Sequence, residues 1–271
     1  MNDRKKAIGI FDSGIGGLTV VKEISRLLPQ ERIVYFGDTA RVPYGSKSKE
    51  TVTKFSFQNT RFLLEQKVKM VIVACNTASA LSLQALREEF KDLPILGVIE
   101  PGAKAAVSRT KKKRIGVIGT LGTIASGVYE KNIRELIPEV LVIGQACPLF
   151  VPLVEEGWIN KQATRLITEE YLTPLRQAGI DTLVLGCTHY PLLKGVIQNV
   201  IGEEVSLVDS AFETALAIKE MLTNRSLLRE STDEPEHTFF VSDLPLKFLE
   251  MGERFLGRVL PNCLKVTVEG L

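Results

Sequence analysis

Short apolar runs alternate along the chain with longer stretches in which apolar residues recur every three or four positions, the signature of strands and amphipathic helices in turn. AIGIF at 7–11 reads as a buried strand, DSGIGG at 12–17 as a glycine-rich turn, and LTVVKEISRLL at 18–28 as the helix it opens. RIVYFGD at 32–38 is a second strand, TARVPYGSKS at 39–48 a loop, and residues 49–66 a helix. A third strand at 70–75 precedes a helix at 78–90, and LPILGVIEPG from Leu93 gives a fourth strand, closed by Pro and Gly, so that a first unit ends near Val98. The order then restarts: RIGVIGTLGTIASGVYEKNI at 114–133 repeats strand, glycine turn and helix. Strands follow at 141–145, 182–185 and 205–208, with a long helix at 161–177 between the first two.

Strands separated by helices call for parallel sheets covered on both faces, and the internal echo for two similar lobes of an α/β fold. After a helix at 211–222, the polar run RESTDEPE at 229–236 reads as a solvent loop. The strand and helix of HTFFVSDLPLKFLEMGERFLG are too little for a third domain, so the tail is expected to cross back. The expected domains are therefore 1–98 plus 209–271, and 99–208.

Composition narrows the partners. The 271 residues are 45% hydrophobic, enough for two full cores, and 34 Lys+Arg against 32 Asp+Glu leave a net charge of +2. That balance argues against nucleic acid, and KKKR at 111–114 reads as a solvated loop. MNDRKK leads straight into a strand without a signal-peptide pattern, and no apolar run reaches the ~18 residues of a membrane span. Four widely spaced cysteines with no CxxC pattern predict reduced thiols in a cytoplasm.

Two of those cysteines carry the candidate chemistry. MVIVACNTAS at 70–79 and TLVLGCTHY at 182–190 each run from a strand into a cysteine followed by Thr/Asn-type residues, and strand ends are where open α/β sheets place ligands. Cys75 and Cys187 could thus offer one substrate two sulfurs from opposite sides, which an enzyme needs if it removes a proton from one face of a carbon and returns one to the other. Asn76, Thr77 and Thr188 supply hydroxyl and amide groups that suit a carboxylate or ammonium-bearing ligand. Cys147 and Cys263 lack such neighbours and read as buried small hydrophobes. The glycine turn after Asp12 is either an anion site at a helix N-terminus or a tight turn; it is neither GxGxxG nor a Walker loop. His189 is either structural or a group that tunes the Cys187 thiol, and Asp12, Asp38 and Glu155 taken singly are capping or turn carboxylates. No motif marks a lysine as a Schiff-base residue, so a direct mechanism without cofactor is preferred to a pyridoxal one. A Cys-His hydrolase, a non-catalytic amino-acid binding module and a zinc site on Cys75, Cys187 and His189 are rivals, though the thiol spacing matches no structural-zinc pattern.

FDSGIGG at 11–17, GDTARVPYG at 37–45, ACNTAS at 74–79, IGTLGT at 118–123, PLVEEG at 152–157 and GCTHYPLL at 186–193 together resemble the glutamate racemases, in order and from about residue 7 to about 257. The resemblance implies two pseudo-symmetric α/β lobes with the active site between them, the first completed by the C-terminal segment. It implies a cofactor-independent, metal-free racemase acting on glutamate, with D-glutamate supplied to peptidoglycan; aspartate racemase is the related alternative. Cys75 and Cys187 match the family's catalytic thiols, Asp12 and His189 the groups that assist proton transfer, and Asp38 and Glu155 further residues associated with activity. Ser13, Tyr44, Gly45, Asn76, Thr77 and Thr188 match substrate contacts, together with Asp12 and His189. Oligomeric state stays open, a homodimer being one option.

Overall fold

In the computed structural model the strands that read as unbroken apolar runs are the ones buried on both faces. The structure describes residues 3–231, 233–260, 262–268 and 270; Thr232, within the connector expected to be a solvent loop, lies outside them. The first series is β1 (Ile8–Asp12), α1 (Leu18–Leu27), β2 (Ile33–Gly37), α2 (Lys49–Glu65), β3 (Met70–Val73), α3 (Asn76–Glu89), β4 (Ile95–Gly97) and α4 (Ile99–Arg109). The second is β5 (Arg114–Gly119), α5 (Leu121–Ala125), α6 (Val128–Leu136), β6 (Leu141–Ala146), α7 (Phe150–Glu155), α8 (Gln162–Gln177), β7 (Thr182–Gly186), α9 (Lys194–Ile201) and β8 (Ser206–Asp209). The tail adds α10 (Ser210–Asn224), β9 (Thr238–Val241), α11 (Pro245–Leu256) and β10 (Leu264–Lys265).

Two all-parallel sheets result, with orders β10-β9-β2-β1-β3-β4 and β6-β5-β7-β8. The second sheet repeats the β2-β1-β3-β4 order of the first, strand for strand. In both, the order reverses beside the first strand of the series, the place where α/β sheets open a crevice at their C-terminal edge. The strand ends bearing Cys75 and Cys187 are therefore topological equivalents.

Several elements depart from the pattern. The EPG that reads as a strand-closing turn lies inside α4, because Pro101 sits in the first helical turn, where its missing N–H has no intrahelical acceptor to lose. The apolar face of α4 joins Ile115, Val117, Ile133 and Val184 in a core under the second sheet. The short α7 and α9 and the two-residue β10 carry too little periodicity to be read. Helix α3 starts at Asn76, not Ala78, because Cys75 itself caps it: its Sγ accepts the Ala78 N–H at 3.5 Å.

At the N-terminal ends of the first sheet's strands, away from the cysteines, Lys69 and Glu31 form a buried ion pair at 2.6 Å. Lys69 also donates to the carbonyls of Arg4 and Leu227, at 3.2 and 2.8 Å, while Glu31 accepts the Arg229 N–H at 2.8 Å. Sequence-distant segments are thus pinned to one charge pair just where the chain leaves α10 for β9.

Candidate active site

The two sheets present their C-terminal edges to a common cavity of about 400 Å³, lined by Cys75, Asn76 and Thr77 from the first sheet and by Cys187, Thr188 and His189 from the second. Ser13, Tyr44, Gly45 and Glu155 complete the expected residues on its wall. Val151 also lines it, as do Thr120, Leu121 and Pro152, which fall in the IGTLGT and PLVEEG motifs but are not among the residues expected to contact substrate.

Cys75 and Cys187 are both buried and both free. Burial pushes the Cys75 thiol up to about 11, with the Asp12 charge adding to it; the Ala78 N–H and Ser13 pull the other way. The Ala78 N–H, in the first turn of a fourteen-residue helix, and Ser13, from the turn after β1, favour a thiolate. Burial drives Cys187 up strongly, and the charges of Asp12 and Glu155 reinforce it, against a hydrogen bond from the His189 backbone. The ring of His189 stands beside Cys187, Nδ1 lying 3.9 Å from Sγ and Nε2 3.1 Å from Glu155 Oε1. Burial raises the Glu155 carboxyl, but the hydrogen bond and charge of His189, with the charge of Lys247, outweigh it and hold the group below its ordinary range.

Asp12 is fully buried beneath the cavity wall, accepting the Gly14 N–H at 3.0 Å and the Thr188 hydroxyl at 3.5 Å. Burial raises its carboxyl against the opposing pull of His189. The glycine turn owes its composition to crowding rather than to left-handed backbone: a Cβ on Gly16 would stand 2.2 Å from Thr188 Oγ1 and 2.5 Å from His189 Nδ1, and one on Gly17 2.6 Å from Asp12 Cβ. At Gly16 the two halves of the chain meet beside the site.

Asp38 does not reach the cavity. Its carboxylate accepts Arg41 Nε at 2.9 and 2.7 Å, Ser242 Oγ at 3.0 Å and the Tyr44 hydroxyl. Asn59 donates to that same hydroxyl at 3.1 Å. Tyr44 is thereby clamped, and its ring and backbone are what remain for a ligand. Gly45 lies against Thr120, where a Cβ would come within 2.6 Å of the threonine Cβ.

Asn76 is the most telling donor. Its Oδ1 accepts the Tyr129 hydroxyl at 2.7 Å, whereas Nδ2, buried on the cavity wall, has no partner. An unmade bond at a buried amide is costly unless a ligand completes it. The N–H groups of Asn76 and Thr77, first in α3, lack intrahelical acceptors and add to the same donor set. The Thr77 hydroxyl is shared with those of Thr120 and Thr123, at 2.9 and 3.2 Å. Among the described residues, no Lys or Arg lines the cavity, so a carboxylate there meets neutral donors and a helix N-terminus. Among the described residues, no group of three or more His, Cys, Asp or Glu is placed to hold a metal ion, and no helix is long and apolar enough to cross a membrane.

The sequence profile of the Asp/Glu/hydantoin racemases matches residues 8–218, a span that includes both cysteine strands. The chain belongs to this family. Within it, the chain is 56% identical over 264 residues to a glutamate racemase from Geobacter metallireducens, covering 97% of each. Among solved structures, a glutamate racemase isoform from Bacillus anthracis superposes with a TM-score of 0.94 at 43% identity, covering 97% of this chain and 98% of that one. The Francisella tularensis glutamate racemase, solved with D-glutamate, gives 0.93 at 38% identity over 99% of this chain and all of its own. An aspartate racemase from Picrophilus torridus shares the fold alone, at 18% identity and a TM-score of 0.54.

Proposed function

We propose that this protein interconverts L- and D-glutamate without a bound cofactor, Cys75 and Cys187 exchanging protons with opposite faces of the α-carbon. The observation that carries the reading is the equivalence of the two sulfurs: each ends the third strand of its series, and both face one cavity that also holds an unpartnered amide. In one direction the Cys75 thiolate takes the α-proton while the Cys187 thiol delivers its own to the opposite face; the reverse runs from Cys187. Each turnover leaves the thiol and the thiolate exchanged. The developing negative charge spreads onto the α-carboxylate, which Asn76 Nδ2 and the first N–H groups of α3 receive. Asp12 serves the Cys75 side, while His189 with Glu155 serves Cys187; Asp38 acts through Tyr44.

The likeness to glutamate racemases, one of them solved in complex with D-glutamate, supports glutamate as the substrate. On this reading the functional domains are 1–98 plus 209–271, and 99–208. The product feeds peptidoglycan synthesis, and the free thiols suit the cytoplasm.

The test is incubation of metal-free, pyridoxal-free protein with L-glutamate in D₂O. Optical rotation is expected to decay to zero as one deuterium enters each α-carbon. Deuteration with retained configuration, or faster turnover of aspartate than of glutamate, would overturn the assignment.

A further inference from the structure

Helix α11 belongs by its packing to the first sheet, yet it reaches the proton-transfer pair beside Cys187. Its Phe248 packs on Tyr35, ring centres 5.9 Å apart, and the Tyr35 hydroxyl holds the Gly14 carbonyl at 2.7 Å. At the other end of the helix, Arg254 Nη1 donates to the carbonyls of Val154 and Glu155, at 3.1 and 3.0 Å. These are the last residues of α7, at its negative end; the Val154 carbonyl also accepts the Gly157 N–H at 3.0 Å, so Arg254 adds a second donor there. The guanidinium also covers Gly157, where the backbone turns at φ +72° and a Cβ would lie 3.0 Å from it. The next residue, buried Phe255, sets its ring edge-on to His189 at 5.3 Å between centres.

We propose that Arg254 is a positioning residue for the Cys187 half-reaction: it fixes the end of α7 so that Glu155 meets His189 Nε2, and through that contact sets the imidazole facing Cys187. The inference rests on the two-thiol reading above. Glu155 holds Nε2, and the ring thereby turns Nδ1 toward the Cys187 sulfur. Releasing the end of α7 frees Glu155, and the ring then loses its orientation. The groups that donate to Cys75 come instead from α3 and Ser13.

A glutamate analogue with a β-leaving group separates the half-reactions. Elimination needs one base: the α-proton passes to a thiolate, its electron pair forms the Cα–Cβ double bond, and the leaving group departs with the Cβ electrons. The variants C75A and C187A first establish which enantiomer each thiol serves. R254A is then expected to slow elimination from the enantiomer that C75A still processes by about tenfold or more, a typical cost of misplacing a catalytic group by less than an ångström. It should leave the other enantiomer nearly unchanged, and R254K, whose ammonium can reach one carbonyl, should recover part of the loss. The chain has two histidines, so side-chain NMR adds a readout independent of activity: the His189 ring signals should move in R254A while those of His237 stay. Equal losses for both enantiomers, unmoved His189 signals, or movement of both rings would each overturn the role of Arg254. Wild-type protein that fails to racemise glutamate, or cysteine variants that both process one enantiomer, would instead sink the two-thiol reading beneath it.

Discussion

A thiol is a weak base unless its surroundings favour the anion, and both cysteines lie where water cannot help. A free thiol of reference value about 8.5 is a few per cent ionised at pH 7, and Cys75, pushed up to about 11 by burial and then by Asp12, is far less so. The sign follows: the neutral thiol is the resting form, and each unit of pH below that value multiplies the thiolate tenfold as pH rises. Alkylation of Cys75 by iodoacetamide, followed by peptide mapping, should therefore climb about tenfold per unit between roughly pH 7 and pH 10. A plateau below about pH 8 would mean a preformed thiolate and would contradict the dominance of burial. The donors already aimed at the sulfur, Ala78 N–H and Ser13, then take effect once bound substrate excludes the remaining water.

At the scale of elements, the site depends on how closely the glycine turn after β1 approaches the end of β7. Gly16→Ala would drive a methyl into Thr188 and His189. We expect the variant to keep its circular-dichroism spectrum but to lose about a hundredfold in kcat/KM, because the two strand ends are held apart. Wild-type activity in that variant would show that the contact is incidental. The strand ends were the legible part of the molecule: apolar runs stopping at a cysteine and a polar pair locate Cys75 and Cys187 without any partner in view. The turn was legible as a turn, but its reason was not, since it lies in residues from the other half of the chain. Likewise Tyr129, which orients Asn76, and the threonines that share a hydrogen on the cavity rim meet only after both sheets have formed. Helix α4 was hidden for a local reason, because Pro and Gly in a first helical turn read like a stop.

At the scale of the whole molecule, the return of the tail to the first sheet is fastened by Lys69 and Glu31. Lys69→Met strands a buried carboxylate, so unfolding in urea should lose roughly 3–5 kcal/mol, while the cavity at the opposite end of the sheet keeps its turnover per folded molecule. A loss under about 1 kcal/mol would show that the pair is effectively solvated. The same scale bears on how the two enantiomers are treated. The strand order matches β1–β4 to β5–β8 and the strand of Cys75 to the strand of Cys187. In the proposed reaction, exchanging the halves of the chain is the counterpart of reflecting the substrate in a mirror. Mirror images have equal free energy in water, so the equilibrium constant is unity and kcat/KM must be the same from either side, however unlike the neighbours of the two thiols are. What Asp12 on one side and His189 with Glu155 on the other can differ in is only how tightly each enantiomer is held before it reacts, and hence how a common efficiency divides between kcat and KM.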